Sequence, residues 1–534
     1  MNLALDREDH APLKPSAGVW ILASAALAMM VRIACFPYSS YAGSWEYCDA
    51  PTRVAMAIRW LHHPGVMTTK DCEQFGPLHI YLIAGALSLW KDIYLAPRFL
   101  SLVLGVGTAL PLFFLTRILF NQRAALYATL FFAFHTLQVK SCGVAMAEAA
   151  FGFFFLMCVY FFVRFRGNGR PVDRCLAALM LSISCMIRYD AWPYIPLMAL
   201  LTIRTDQSGA KRFPSMVSCL RPVIGFGLIA GLFPVLWLIT NYVKGADPLF
   251  AWKVIAAGLE SFPEDTITRH GVIVASVFHT VFVPAILFLS LTPAVAVLAG
   301  IGFVRALRRR HALAYAALFL PFIIYYVQSF GVRALPIARY WMLPGLLMLP
   351  YAGAQMDLWT RALSATGVRR KTAAVVLSAA LVFSALLCAA YSMDLPFHQR
   401  FWSISPVSPM LPEEKQSFDL IKSQMQPGDR LVPDGSVFSR CVTFNLDPTF
   451  GEHWWDVPNY RQLSQDEFAR HLRSSAPGFL LVYKLEFPFM DLLSKMEQTE
   501  SNEAGIRVQT VYSKGRYGVY HLPSSKAEDS QIPR

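Results

Sequence analysis

Residues 95–155 decide the fold, and they read LAPRFLSLVLGVGTALPLFFLTRILFNQRAALYATLFFAFHTLQVKSCGVAMAEAAFGFFF. Apolar runs lie at 95–116, 124–139 and 143–163, and the basic segment Arg117–Arg123 separates the first two. A helix that crosses a bilayer needs about 20 predominantly apolar residues, and these runs are close to that length. The stretch therefore predicts a bundle of helices in a membrane.

The composition of the whole chain agrees with a membrane protein of many spans. Of its 534 residues, 55% are hydrophobic and only 16% are charged, and the mean hydropathy is +0.41. This is too apolar for a soluble enzyme of the same size. The net charge of +13 falls in short loops between apolar runs, where basic residues set topology, so nucleic acid is not an expected partner. Gly18–Phe36 is followed by no A-x-A-like cleavage site and is expected to be a retained first helix that starts in the cytoplasm.

The basic breaks between apolar runs predict the topology. The positive-inside rule places them in the cytoplasm. They are Arg117–Arg123, Arg164–Arg174, Arg204–Arg221, Arg305–Arg310 and Arg361–Lys371, and the later apolar runs lie at 175–203, 222–241, 281–304, 312–330, 339–356 and 373–392.

Two apolar segments do not fit one simple crossing each. The run 175–203 has a basic break on both sides, so it is predicted to be two short helices that meet at a turn, Arg188-Tyr189-Asp190, at membrane depth. Pro77–Trp90 has only about 14 residues, so we expect a re-entrant or interfacial helix. The sequence then predicts about eleven transmembrane helices, with the N-terminus inside and the C-terminus outside.

A change in composition near Tyr391 predicts a second domain. Residues 1–392 are expected to form the transmembrane domain, and residues 393–534 a small extracytoplasmic α/β domain. Helix-like patterns lie at 412–426 and 464–474, and strand-like patterns lie at 430–432, 478–483, 507–512 and 516–522.

Charged residues collect on the predicted outer side. The first outer loop, residues 37–76, is long for a connection between membrane helices, and such loops are usually functional or disordered. A carboxylate can deprotonate a hydroxyl, and an arginine can hold a phosphate through its planar fork. The acidic candidates are Glu46, Asp49, Asp71, Glu73, Glu148 and Asp190, and the basic candidates are Lys140, Arg188, Arg333 and Arg339.

Other interpretations of these residues remain open. Arg333 and Arg339 could anchor helix ends at lipid head groups, and Asp71 or Glu73 could be a solvated loop charge. Paired acids such as Asp49 and Glu73 could instead hold a divalent cation, which is the one cofactor that the residues suggest. The ten cysteines show no C-x-x-C spacing and indicate neither a zinc site nor a disulfide framework.

Several motifs in the first 200 residues resemble the GT-C class of membrane glycosyltransferases, nearest to its protein-mannosyltransferase-like and aminoarabinose-transferase-like branch. They are the acid-bearing first loop with Trp45, Glu46 and Asp49, the segment QFGPLHIYLIAG, the pattern R-x-L-F-x-x-R-A and the turn S-x-x-x-A-x-x-E. The resemblance implies an inverting transfer of a sugar from undecaprenyl or dolichyl phosphate to a lipid, glycan or protein acceptor on the non-cytoplasmic face.

The resemblance also implies roles for individual residues. Asp49 is favoured as the base and Glu46 comes second, while Glu73 and Glu148 match two further acids of the class. Arg188, Arg333, Arg339 and Lys140 are the expected contacts of the donor phosphate. Two other classes stay open: a transporter or flippase for a lipid-linked saccharide, and a binding scaffold without catalysis. Transporters tend to contain internal repeats, and we find none in the sequence.

Overall fold

The structure is a computed structural model. It describes residues 15–38, 49–93, 95–203, 216–256, 267–268, 271–307, 315–330, 337–364, 369–392, 420–421, 423–426, 429–433, 464–475, 477–484, 489–498, 508–513 and 517–523. Its contacts divide the chain into two units. The helical unit contains residues 1–39 and 101–400, and the mixed unit contains residues 40–100 and 401–534. The boundary that the sequence predicts at 392/393 remains a prediction.

Most of the chain up to Ser392 is helical, as the apolar runs predict. In chain order the helices are α1 (Pro15–Cys35), α2 (Asp49–His62), α3 (Thr69–Cys72), α4 (Pro77–Leu89), α5 (Leu95–Gly107), α6 (Ala109–Leu119), α7 (Gln122–Ala133), α8 (Thr136–Gly143), α9 (Ala147–Asn168), α10 (Pro171–Ile187), α11 (Tyr194–Leu201), α12 (Met216–Ala230), α13 (Leu232–Val243), α14 (Val272–Leu291), α15 (Pro293–Ala306), α16 (Leu320–Phe330), α17 (Met342–Ser364) and α18 (Arg369–Ser392).

Local residues explain where several of these helices begin and end. Asn121 caps α7, because its side chain accepts a hydrogen bond of 2.9 Å from the backbone N–H of Ala124. Gly169 ends α9 in the left-handed conformation, at φ 73°. Pro171 then opens α10, where its missing N–H costs nothing.

The apolar run 175–203 is divided as the sequence predicts. Helix α10 ends at Ile187, a short 3-10 helix covers Tyr189–Ala191, and α11 starts at Tyr194. The turn at residues 188–190 is therefore confirmed as an interruption between two short helices.

A second break was not predicted. The run 281–304 was expected to be one span, but the structure begins a helix nine residues earlier, at Val272, and divides the run at Thr292. Thr292 has a φ of 68°, and Pro293 starts the next helix. Proline lacks a backbone N–H and restricts the residue before it, so the helical hydrogen bonds stop there. The prediction of a single helix at 281–304 is wrong for this reason.

The number of spans is a separate matter from the number of helices. Within the described ranges, three helices are long and apolar enough to cross a membrane, and a fourth span results if a bent pair counts as one. The three are Leu95–Leu119, in which α5 and α6 are taken as one continuous helix, Ala147–Asn168 and Val272–Leu291. The pair Leu220–Ala230 and Leu232–Val243 is bent by 47°. The count of eleven stays a prediction. The helix predicted at 77–90 is present as α4, and its re-entrant placement also stays a prediction.

Close packing inside the helical unit depends on small residues. A Cβ added to Gly353 on α17 would lie 2.2 Å from the carbonyl oxygen of Ala124 on α7. No side chain fits at that distance, so glycine allows the two helix backbones to approach directly.

The C-terminal part of the mixed unit is an α/β module with a four-stranded sheet. Its elements are β1 (Arg430–Pro433), α19 (Gln465–Ser475), β2 (Gly478–Tyr483), α20 (Met490–Gln498), β3 (Gln509–Tyr512) and β4 (Tyr517–Leu522). The strand order is β1-β2-β4-β3, with β1 parallel to β2 and the other pairs antiparallel. One face of the sheet packs against both helices, where the rings of Phe468 and Phe489 stack at 4.9 Å.

The predicted mainly α fold with a small C-terminal α/β domain is confirmed. All four strands and the helix near 464–474 occur where the patterns place them, whereas α20 was not predicted. Much of the helix expected at 412–426 lies outside the described residues. The first loop and this module belong to the same unit: burial, and then the charge of Arg59 on α2, lower the pKa of His471 on α19.

Candidate active site

The turn that divides α10 from α11 positions two charged side chains. Arg188 is the C-cap of α10 and has an extended backbone, at φ −146° and ψ 137°. Asp190 follows in the 3-10 helix, and its side chain is 54% exposed. The Nε and Nη2 atoms of Arg188 both donate to Oδ2 of Asp190, at 2.7 and 2.6 Å. The predicted cation and anion of this turn therefore form an ion pair.

The same guanidinium group also reaches an acid on another helix. Glu148 lies in the first turn of α9 and is only 2% exposed. Its Oε1 accepts a hydrogen bond from Nη1 of Arg188. A buried carboxylate needs such a partner, because an unpaired charge in a low-dielectric interior is very costly.

A second arginine approaches Glu148 from the 3-10 helix Ala338–Trp341. The Nε of Arg339 lies 3.8 Å from Oε1 of Glu148, and Arg339 is 9% exposed. The ring of Tyr340 lies beside both guanidinium groups, with its centroid 5.5 Å from Cζ of Arg188 and 5.7 Å from Cζ of Arg339. We call Glu148, Arg188, Asp190, Arg339 and Tyr340 the arginine cluster.

The cluster carries two positive and two negative formal charges. Arg188 directs three of its donor atoms to the two acids, so an incoming anion would compete with them. Asp190 is the partner that such an anion could displace, because it is exposed whereas Glu148 is buried. The arrangement can hold a phosphate by exchanging one carboxylate for another oxyanion.

Three acids of the first loop are described, and Asp49, Asp71 and Glu73 lie at helix ends in the mixed unit. Asp49 is in the first turn of α2 and is partly buried. A negative charge is favourable there because of the partial positive charge of a helix N-terminus.

Asp71 has a clear local role. Its Oδ2 accepts hydrogen bonds from the backbone N–H and the hydroxyl of Thr68, at 2.7 and 2.9 Å, which forms a capping box for α3. Its backbone carbonyl accepts from Arg59. These contacts favour the interpretation of Asp71 as a structural residue of the loop.

Glu73 is held differently from Asp71. It is 3% exposed and has φ 55° and ψ −126°, a conformation that residues other than glycine rarely adopt. Such strain costs roughly 1–3 kcal/mol and is often found at functional sites. Burial raises the pKa of the neighbouring Cys72 thiol, and the charges of Asp71 and Glu73 raise it further. Cys72 is therefore an unreactive thiol.

The remaining candidates do not all join the cluster. Lys140 is buried on α8 and lies close enough to act electrostatically on Cys35 at the end of α1. Glu46 and Arg333 lie outside the described residues. Within the ranges that are described, no three His, Cys, Asp or Glu side chains form a group suited to a metal ion. A cation held by Asp49 and Glu73 remains a prediction.

Among the described residues, further buried arginines were not selected as site candidates from the sequence, and Arg32 and Arg53 are two of them. Arg32 on α1 is 1% exposed, donates from Nε to Oε1 of Gln138 at 2.9 Å and stacks on Phe132. Arg53 on α2 lies over the ring of Phe75, with 4.2 Å from Cζ to the centroid. The position of Arg32 inside an apolar run was the available signal, since arginine at membrane depth requires partners.

The fold is that of the GT-C class of membrane glycosyltransferases. One similar structure is ArnT from Cupriavidus metallidurans bound to undecaprenyl phosphate, with a TM-score of 0.56 and 14% identity over 94% of this chain and 98% of that chain. Another is the archaeal oligosaccharyltransferase AglB from Archaeoglobus fulgidus in complex with an inhibitory peptide and a dolichol-phosphate, with a TM-score of 0.53 and 12% identity over 97% of this chain and 75% of that chain.

A family match accompanies the fold. Residues 74–236 match the family model described as dolichyl-phosphate-mannose-protein mannosyltransferase. No curated protein matches the sequence. The expected resemblance is confirmed: residues 74–236 match a protein-mannosyltransferase family model, and the fold is similar to that of the GT-C class.

Proposed function

We propose that this chain is an integral membrane glycosyltransferase that uses a polyprenyl-phosphate sugar. The donor is an undecaprenyl- or dolichyl-phosphate sugar, and the acceptor is a lipid, glycan or protein on the non-cytoplasmic face. The family match over residues 74–236 supports the class of reaction, and this matched segment contains Glu148, Arg188 and Asp190. The observation that carries the proposal is the convergence of Arg188 and Arg339 on one buried carboxylate.

The arginine cluster is proposed to hold the donor phosphate. Glu148 fixes the position of both guanidinium groups, so they do not lose side-chain freedom when the donor binds. The phosphate displaces Asp190 from Arg188 and takes over its charge-assisted hydrogen bonds. The comparison structures contain undecaprenyl phosphate in ArnT and a dolichol-phosphate in AglB, and ligands of this kind are what the cluster would bind here.

A carboxylate of the first loop is proposed to act as the base, with Asp49 first and Glu46 second. It accepts the proton of the acceptor hydroxyl while the hydroxyl oxygen forms a bond to the anomeric carbon. The bond from that carbon to the phosphate oxygen breaks, and its electron pair stays on the polyprenyl phosphate. Attack on the face opposite the leaving group inverts the anomeric centre. The arginines stabilise the negative charge that grows on the departing phosphate.

The direct test is a transfer assay in proteoliposomes. The purified chain would be offered radiolabelled undecaprenyl- and dolichyl-phosphate sugars in turn, with a membrane extract as the source of acceptors. Label that moves to an acceptor with the chain, and not with empty vesicles, supports the proposal. No transfer from any donor, together with movement of the lipid-linked sugar across the bilayer in the same vesicles, would instead establish a flippase.

A further inference from the structure

Two cysteines that are distant in sequence meet in the helical unit. Cys35 is the last residue of α1, and Cys388 lies in the last turns of α18. Their side chains pack together with Val139 of α8 and are 4% and 1% exposed. The two thiols are hydrogen-bond partners. Both are thiols in the structure, so no covalent bond joins them there.

The contact lies at the ends of helices that the basic breaks orient in the same direction. Helix α1 is expected to start in the cytoplasm, and α18 begins at Arg369 within the basic break Arg361–Lys371. Both helices therefore run outward, and Cys35 and Cys388 stand at their outer ends. Their packing is consistent with this orientation, since helix ends on opposite faces of a membrane could not touch. Disulfides form and persist in oxidising compartments outside the cytoplasm.

The position of the pair gives a covalent link a structural consequence. Chain segments of the mixed unit begin at residue 40, shortly after Cys35, and at residue 401, shortly after Cys388. A bond between the two cysteines would fasten the helix that leads to the first loop to the helix that leads to the C-terminal module. It would join residues that are far apart in sequence, which is where cross-links restrict the unfolded chain most in the entropic account.

We propose that Cys35 and Cys388 form a disulfide in the mature protein. Each thiol gives up one proton and one electron, and a bond forms between the two Sγ atoms at about 2.05 Å. The oxidant is the disulfide of a thiol oxidoreductase in the non-cytoplasmic compartment. Its own S–S bond breaks, and it takes up the two electrons and two protons as a pair of thiols. The reaction takes place during assembly, before packing against Val139 covers both side chains.

The test uses the full chain recovered from membranes. Cells are lysed in denaturant with N-ethylmaleimide, which blocks thiols and prevents exchange, and the protein is digested and analysed by mass spectrometry without reduction. The expected result is a linked peptide containing Cys35 and Cys388, which disappears after reduction while both cysteines become available for labelling. Finding both residues alkylated in the unreduced sample would overturn the proposal.

Variants add a second readout. Cys35→Ser and Cys388→Ser should each abolish the linked peptide. Cys175→Ser should keep it, because Cys175 is an exposed cysteine on a different helix, α10. A reductant should lower the midpoint of thermal unfolding of the wild type by several degrees and leave that of the Cys35→Ser/Cys388→Ser double variant unchanged. An equal response of both proteins would contradict the disulfide. Transfer activity is measured separately, so failure of this proposal leaves the proposed enzymatic function standing.

Discussion

The acids of the arginine cluster and the acids of the first loop are held by different kinds of partner. In the cluster, Glu148 is buried and shared by Arg188 and Arg339, which follow it by many residues in the chain. In the loop, Asp49 stands at the start of α2 and Asp71 caps α3. Paired guanidinium groups suit the binding of a phosphate, whereas a carboxylate of the first loop is the group that we propose as the base. The difference supports a division of work between anion binding and proton transfer.

The largest expected effect concerns the proposed base in the first loop. Asp49→Asn removes the proposed base and should lower the turnover rate of sugar transfer about 10²- to 10⁴-fold. The measurement is initial-rate transfer in proteoliposomes at saturating donor. Asp71→Asn is the matched control, since Asp71 has a capping role and its variant should lose stability more than turnover. A rate for Asp49→Asn within a factor of two of the wild type would move the role of base to Glu46 or Glu73.

The next largest effect concerns the stability that Glu148 gives to the arginine cluster. Glu148→Gln leaves two nearby guanidinium groups without their shared buried anion, and removing one partner of a buried ion pair typically costs about 3–5 kcal/mol of unfolding free energy. A thermal unfolding cycle in detergent with Arg188→Gln and the double variant would measure the coupling. The double variant should lose less stability than the two single losses combined. Strictly additive losses would mean that the Glu148–Arg188 pair does not stabilise the fold.

The sequence predicted parts of this comparison and missed others. The turn at Arg188 followed from the basic breaks on both sides of one apolar run. A run that leaves and returns to the same face of the membrane must contain two helices and a turn. The sharing of Glu148 by Arg188 and Arg339 could not be predicted as a contact, because it depends on how α9, α10 and the 3-10 helix at 338–341 pack. The break at Thr292 was hidden in an unbroken apolar run, and α20 in an ordinary polar segment. The strained backbone of Glu73 has no signature in composition.

A smaller effect tests the backbone strain of Glu73 in the first loop. Replacing Glu73 by glycine should give a more stable protein than replacing it by alanine, by about 1 kcal/mol or more, because only glycine adopts a positive φ without steric cost. The comparison of the two variants cancels the loss of the Glu73 side chain. The measurement is the thermal unfolding midpoint of each. Equal stability, or a more stable alanine variant, would show that position 73 is not strained.

The smallest expected effect concerns phosphate binding by the arginine cluster. Asp190→Asn removes the exposed competitor of the phosphate, and an exposed ion pair is worth about 0.2–1 kcal/mol, so the Kd for undecaprenyl phosphate should fall about 1.4- to 5-fold. Asp247→Asn is the matched control, because Asp247 forms an exposed pair with Lys253 outside the cluster. Weaker binding by Asp190→Asn would mean that Asp190 assists the phosphate instead of competing with it.

The central claim is that one site binds the donor phosphate and the other moves the proton. It is tested most directly by the Kd of one polyprenyl phosphate for three proteins of verified fold: the wild type, Asp49→Asn and Arg188→Ala. The account predicts an unchanged Kd for Asp49→Asn and a Kd raised at least about 10-fold for Arg188→Ala, since charge-assisted hydrogen bonds are worth about 1.5–3 kcal/mol each. An unchanged Kd for Arg188→Ala, with weakened binding by Asp49→Asn, would contradict it.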